Sequence, residues 1–256
     1  MTKERLKELM QPIAQGLFGP QGTKRYERPH FKVRPLEVML QDLVEIEPID
    51  WYQYVFTREP LNGKFQDAQR CEYMQKAWAC GQEYAEIIKK EYGSDNPETI
   101  AKAMGMQIGY PTYPDKTDRV LFAEFREPNK INIYMDAVKK GNKFLAKPEI
   151  QKVLKNKLKI SDVLLAHELF HAVEEKYKKD IYTRQEKIRL WKLGFLHNDS
   201  QIMILGEIAA MSFAAALTKL PYSPYLLDVF LVYGYSPEEA SGLYEEIMGY
   251  LGKEVH

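Results

Sequence analysis

Cysteine is nearly missing from this chain of 256 residues: Cys71 and Cys80 are the only two. They lie nine positions apart in a stretch with helical patterning, too far to bond unless that helix breaks. A disulfide-stapled secreted scaffold is therefore disfavoured and a reducing compartment fits better. Net charge is missing as well, since 36 Lys and Arg balance 36 Asp and Glu. The chain has no global attraction to nucleic acid or anionic membrane, and no electrostatic protection against self-association. No apolar run approaches the roughly 20 residues that span a bilayer. The first ten residues, Met-Thr-Lys-Glu-Arg-Leu-Lys-Glu-Leu-Met, lack the apolar stretch of a signal peptide. Internal repeats and low-complexity segments are absent too. The expectation is a cytoplasmic protein with no membrane association and no clear nucleic-acid binding. What remains is ordinary for a globular chain: at 45% hydrophobic and 28% charged, it can build a real core in one large or two small domains.

Patterning predicts a mostly helical α+β chain with a small sheet in its middle. Residues 2–16 read as an amphipathic helix and 17–34 as a Gly- and Pro-rich arm. Pro35 to Glu47 reads as a short helix and Gln66 to Tyr92 as a long one, stopped by Gly93. Asn96, Pro97 and Gly105 mark a short helix over 97–104. Met106–Tyr110 then reads as a strand and 111–118 as a proline-rich loop. Val120–Arg126 and Ile131–Tyr134, joined across Pro128 and Asn129, carry a hairpin signal. Everything after about 136 reads as helical, broken once at Pro221 and Pro224. Ser236 and Glu239 form a capping box for the last helix. The organisation expected is an N-terminal helical region over 1–95, of unknown role, and a second unit over 96–256, with one continuous domain also open. The eight lysines between Lys139 and Lys159 read as a solvated face in preference to an anion-binding patch.

One pentapeptide carries chemistry: His167-Glu168-Leu169-Phe170-His171. A helix turns about 100° per residue, so histidines four apart lie on one face and can grip one metal ion. The Glu168 carboxylate beside them can accept a proton from metal-activated water. Ser161 or Asp162 is expected to cap this helix, and Lys176, Lys178 and Lys179 suit its C-terminal dipole. Catalytic zinc needs a third protein ligand. The extended pattern H-E-x-x-H-x-x-G-x-x-H fails, because Glu174 stands at the glycine position and Tyr177 at the third histidine. Glu207 is the best third ligand. It lies in a helix over Ser200–Leu217 in which residues 202–217 hold only Ser212 besides it among hydroxyl or charged residues. A lone carboxylate in so apolar a helix is costly to bury unless paired or metal-bound. Gly206, Ala209 and Ala210 would let this helix approach the histidines closely. His197 and Asp199, placed in a loop, are the alternative ligands. Tyr177, Tyr182 and His197 are weak candidates for an oxyanion donor.

These residues resemble a known family. Glu207-x-x-Ala210-x-x-Phe213-Ala214-x-x-Leu217, downstream of H-E-x-x-H, is similar to the second motif of the ImmA/IrrE-type zinc metallopeptidases, E-x-E-A-N-x-F-A-x-x-L-L-M-P. Thr99–Ile108 looks like that family's helix–Gly–strand opening, and the Ala123 and Ile131 strands like its hairpin. The resemblance spans about 97–221. Met211 replaces the usual Asn, Ala209 the second acid, and Leu217-Thr-Lys-Leu-Pro221 blurs the ending. About 35 residues separate His171 from Glu207, an enlarged connection. The place four after Glu207, often an Asp in gluzincins, is Met211, so no carboxylate is identified that would orient the ligands. The helix-turn-helix companion of some members is not apparent. The resemblance implies a zincin-like fold and a zinc-dependent peptidase acting on a peptide or protein, often a regulatory one. Zn2+ would be held by His167, His171 and Glu207, with Glu168 as general base. The strand over 120–126 is the expected edge for an extended substrate. The alternative is a metal-binding regulatory or interaction module that cleaves nothing, against which the intact Glu168 argues.

Overall fold

The structure, a computed structural model, describes residues 31–113, 121–193 and 196–253. The expected helix at 2–16, most of the arm at 17–34, Val120 and the end of the proline-rich loop lie outside those residues. The described chain is mostly helical with two small sheets, an α+β arrangement.

Helix α1 runs Leu36–Leu43 and a short helix α2 runs Tyr52–Phe56. The long α3, Asp67–Tyr92, matches its expected span. Gln66 and Gln69 exchange side-chain and backbone hydrogen bonds at its start, and Gly93 ends it at φ 64°, a left-handed conformation that costs glycine least. In α4, Pro97–Ala103, the Asn96 side chain accepts from the Thr99 N–H at 2.8 Å. The sheet that follows has the order β1–β3–β2, with β1 Gln107–Gly109, β2 Ala123–Arg126 and β3 Lys130–Ile133. β1 is parallel to the central β3 and β2 antiparallel to it, so β2 is an edge strand.

Helices α5 (Met135–Leu145), α6 (Pro148–Val153), α7 (Ile160–Lys176) and α8 (Tyr182–Gln185) come next. The expectation of helix throughout this half then fails. Residues Lys187–Leu193 and Leu196–Gln201 form an antiparallel hairpin, β4 and β5. Its signal is a period of two: exposed Lys187, Arg189 and Trp191 alternate with half-buried Ile188 and Leu190. Arg189 donates across the pair to Asp199 at 2.8 and 3.2 Å. His197 and Asp199 therefore sit on a strand, not in a loop, and α9 begins at Ile204 rather than Ser200. α9 (Ile204–Thr218), α10 (Leu226–Tyr233) and α11 (Pro237–Tyr250) complete the fold. Ser236 caps α11 as expected, accepting from the Glu239 N–H at 3.2 Å.

One hydrophobic core joins these elements. Met39, Trp51, Phe56 and Met74 are buried in it together with Phe170, Phe213, Phe230 and Tyr244, so the helices before residue 95 and the elements after it share one interior. The tightest packing is between α3 and α9. A Cβ on Gly81 would stand 2.1 Å from the Ala209 carbonyl oxygen and 2.9 Å from the Phe213 nitrogen. Beside it the Ser212 hydroxyl donates to the Trp78 carbonyl at 2.5 Å. The lysines of 139–159 are exposed except Lys140, which pairs with Asp136 at 2.7 Å and lies over the Tyr235 ring. Among the described residues no helix is long and apolar enough to cross a membrane.

Gly81→Ala must push two helix backbones apart. We expect it to cost about 3 kcal/mol, the upper part of the overpacking range, read by urea denaturation. Gly63→Ala, with nothing within 4 Å of the added carbon, is the control and should stay within about 0.5 kcal/mol of wild type.

Candidate metal centre

α7 presents two faces. Val163, Ala166, Leu169, Phe170 and Val173 are buried in the core, while His167 and His171 are only half-buried. Ser161 and Asp162 do not cap it. The helix starts two or three residues earlier than they would require, with the Lys159 carbonyl accepting from the Val163 N–H at 3.1 Å. Asp162 instead adds negative charge to the first turn, where the dipole favours it.

α9 brings Glu207 to the histidines. Phe170 of α7 and Phe213 of α9 pack with ring centroids 5.5 Å apart, fixing the two helices behind the site. The first turn of α9 has no side-chain cap of its own. Buried Glu59 serves it from a remote segment. Its Oε2 accepts from the Ile204 N–H at 3.0 Å and its Oε1 from the Leu61 N–H at 2.9 Å. A carboxylate there satisfies an orphan donor and complements the dipole. Sequence reading misses Glu59 because its partner is 145 positions away.

The three expected ligands meet. Nε2 of His167 lies 3.2 Å from Oε2 of Glu207, and Nε2 of His171 lies 3.7 Å from Oε1. Among the described residues this is the one such group, with its ligand atoms all within 4.8 Å of one another. Tetrahedral zinc with bonds of about 2.0–2.2 Å would set ligand atoms about 3.3 Å apart. Two imidazoles and a carboxylate at this spacing therefore fit that ion. Glu207 is not buried as expected: 51% of its side-chain surface is accessible, although its helix neighbours Gly206, Ile208, Ala209 and Ala210 are buried. Its charge is nonetheless strongly coupled to His167, His171 and Arg58.

The electrostatics follow from that placement. Burial pushes the Glu207 carboxyl up, but the hydrogen bond from His167 and the charges of both imidazoles outweigh it, bringing it down to about 2. For His167 burial pushes down, and the hydrogen bond and charge of Glu207 win, raising its pKa. Glu168 is raised, chiefly by burial, against the pull of the two imidazoles; a backbone hydrogen bond from Phe125 in β2 also acts to lower it. That contact agrees with the strand register. The Tyr134 N–H donates to the Phe122 carbonyl, so the alternation leaves the backbone groups of Ala123 and Phe125 on the free edge. Behind Glu207, the Arg58 guanidinium donates to Asp228 at 2.6 Å and the Tyr54 hydroxyl donates to the same oxygen at 2.9 Å. The charges of Asp228 and Arg58 reach His167 and Glu207 respectively.

The other named residues stay outside the group. His197, 48% exposed, pairs with Asp199 at 3.4 Å on the hairpin. The Tyr177 hydroxyl donates to Glu91 of α3 at 2.6 Å. The Tyr182 hydroxyl is buried without a partner. Met211 is half-buried and packs on the core. Compared with family models, curated proteins and solved structures, the chain finds no significant match.

Without metal, the site carries its own pH dependence. His167, raised above 6.5, contributes stability that is present below pH 6.5 and lost as pH rises through its folded value. Glu168, raised above 4.5, acts in the same direction from pH 4.5 upward. Glu207 contributes stability that is present above pH 4.5 and lost as pH falls toward about 2. Urea denaturation of the chelator-treated protein should show stability falling from about pH 5 to pH 8, and added Zn2+ should reverse that slope, since metal and proton compete for the imidazoles. A metal-free slope that His167→Ala leaves unchanged would count against the pairing.

Proposed function

We propose that the protein is a zinc-dependent metallopeptidase of the gluzincin type, with a zincin-like fold, that hydrolyses peptide bonds in a peptide or regulatory protein. The observation that carries this reading is the convergence of His167 Nε2, His171 Nε2 and the Glu207 carboxylate at one point beside Glu168. His167, His171 and Glu207 would hold Zn2+, which would supply a Lewis acid for the scissile carbonyl and acidify water toward a pKa of about 7. Glu168 accepts a proton from the attacking water at its carboxylate and returns it to the leaving amine nitrogen. Its burial suits the role, because a carboxylate held above its ordinary range is a stronger base. The edge of β2 turned away from β3 offers the Ala123 backbone groups and the Phe125 carbonyl to an extended substrate, which orients the scissile bond toward Glu168, while the Phe125 N–H is held by Glu168 itself. Arg58 and Asp228 lie behind the ligands, and Glu59 holds the turn that presents Glu207.

Glu168→Gln should lower peptide hydrolysis by about 100- to 10,000-fold while zinc content, measured by mass spectrometry, stays at the wild-type level. His171→Ala and Glu207→Ala should lose the metal. Undiminished cleavage by the Glu168 variant sinks the mechanism. Stoichiometric zinc with no cleavage of any peptide in a proteome-derived library favours the non-catalytic metal-binding module.

A further inference from the structure

Glu174 lies one turn beyond His171 on α7, is buried, and has no part in the reading above. Its carboxylate is held from several sides. Oε1 accepts from the Thr183 hydroxyl, and Oε2 pairs with Nη2 of Arg184 at 3.0 Å. The same Oε2 stands 4.0 Å from Nδ1 of His171, an electrostatic contact rather than a hydrogen bond. Towards α9, a Cβ on Gly206 would come within 3.1 Å of Oε1. Glycine at that position leaves the carboxylate room beside the backbone that carries Glu207.

A buried carboxylate paired with an arginine needs no imidazole next to it to be stable. What distinguishes this one is where it lies: on the Nδ1 side of a ring whose Nε2 faces Glu207. A histidine that ligates through Nε2 carries its proton on Nδ1, and a carboxylate beside Nδ1 favours that tautomer, fixes the ring plane and raises ligand basicity. The two histidines differ in this respect, because Nδ1 of His167 is buried with no partner. We propose that Glu174 is the positioning residue for His171, holding its imidazole with Nδ1 protonated and Nε2 turned to the metal, while Thr183, Arg184 and Gly206 seat the carboxylate. The assignment rests on the zinc reading above. It also gives a role to the acid that stands where the longer histidine motif has glycine.

The test is the Zn2+ dissociation constant of the full chain, measured by competition with a chromogenic chelator, with metal-free melting curves recorded alongside. Glu174→Met should bind Zn2+ about 10- to 100-fold more weakly than wild type. Glu174→Gln, which keeps an oxygen dipole on the Nδ1 side but loses the charge, should lose less. Wild-type affinity in both variants, folded, overturns the assignment. Should neither fold, 15N NMR of the zinc-loaded wild type labelled at histidine tests it without a substitution. A proton on Nδ1 and metal on Nε2 of His171 is expected, and the reverse overturns it. A wild-type chain that binds no Zn2+ overturns the proposed function and this assignment together. Unaffected variants of a zinc-binding wild type overturn the assignment alone.

Discussion

Glu207 has to reach two imidazoles on another helix, and the site depends on the backbones of α7 and α9 being held at that separation. Three contacts hold them. Phe170 and Phe213 set the distance between the helices, Gly81 lets α3 press directly on the α9 backbone, and Glu59 fixes the turn from which Glu207 projects. Each acts through close packing or a satisfied helix terminus, where small displacements are costly. The same logic explains why α9 is so apolar: it is covered on nearly every side, and Glu207 marks the place where the cover opens.

The surroundings of the site also set the chemistry of the acids. Glu168 and Glu207 are both carboxylates beside the same imidazoles, yet their proton affinities move in opposite directions. Glu207 receives a direct hydrogen bond from His167, whereas Glu168 feels burial more than attraction. Environments that separate two like groups in this way divide a site into a member that stays charged and one that exchanges protons.

What could be read from the sequence was short-range. Histidines four apart fix their own relative placement once the segment is helical, and a single acid in an apolar helix stands out on composition alone. The ends of α3 and the caps of α4 and α11 are legible for the same reason, since each signal lies within a few residues of what it controls. Glu59, Arg58 and Asp228 were not legible, because their partners come from other parts of the chain and no local pattern names them. The β4–β5 hairpin is a different failure. Its alternation is present in Lys187–Trp191, but five residues of period two are too few to stand out from the helical pattern on either side. The cap of α7 went astray by two or three residues, as helix boundaries do when several polar residues precede an apolar run.

The Glu59 contact bears on what counts as the smallest working unit of this molecule. The pentapeptide and the Glu207 helix lie in the second half, and by motif alone the first half looks dispensable. Yet the hydrogen bond to Ile204 comes from residue 59. A chain shortened to begin after α3 would keep His167, His171 and Glu207 and lose the acceptor that caps the first turn of α9, together with the helix that backs it. Candidate ligands and scaffold are thus interleaved along the sequence, and the candidate centre belongs to the whole fold rather than to a transplantable cassette.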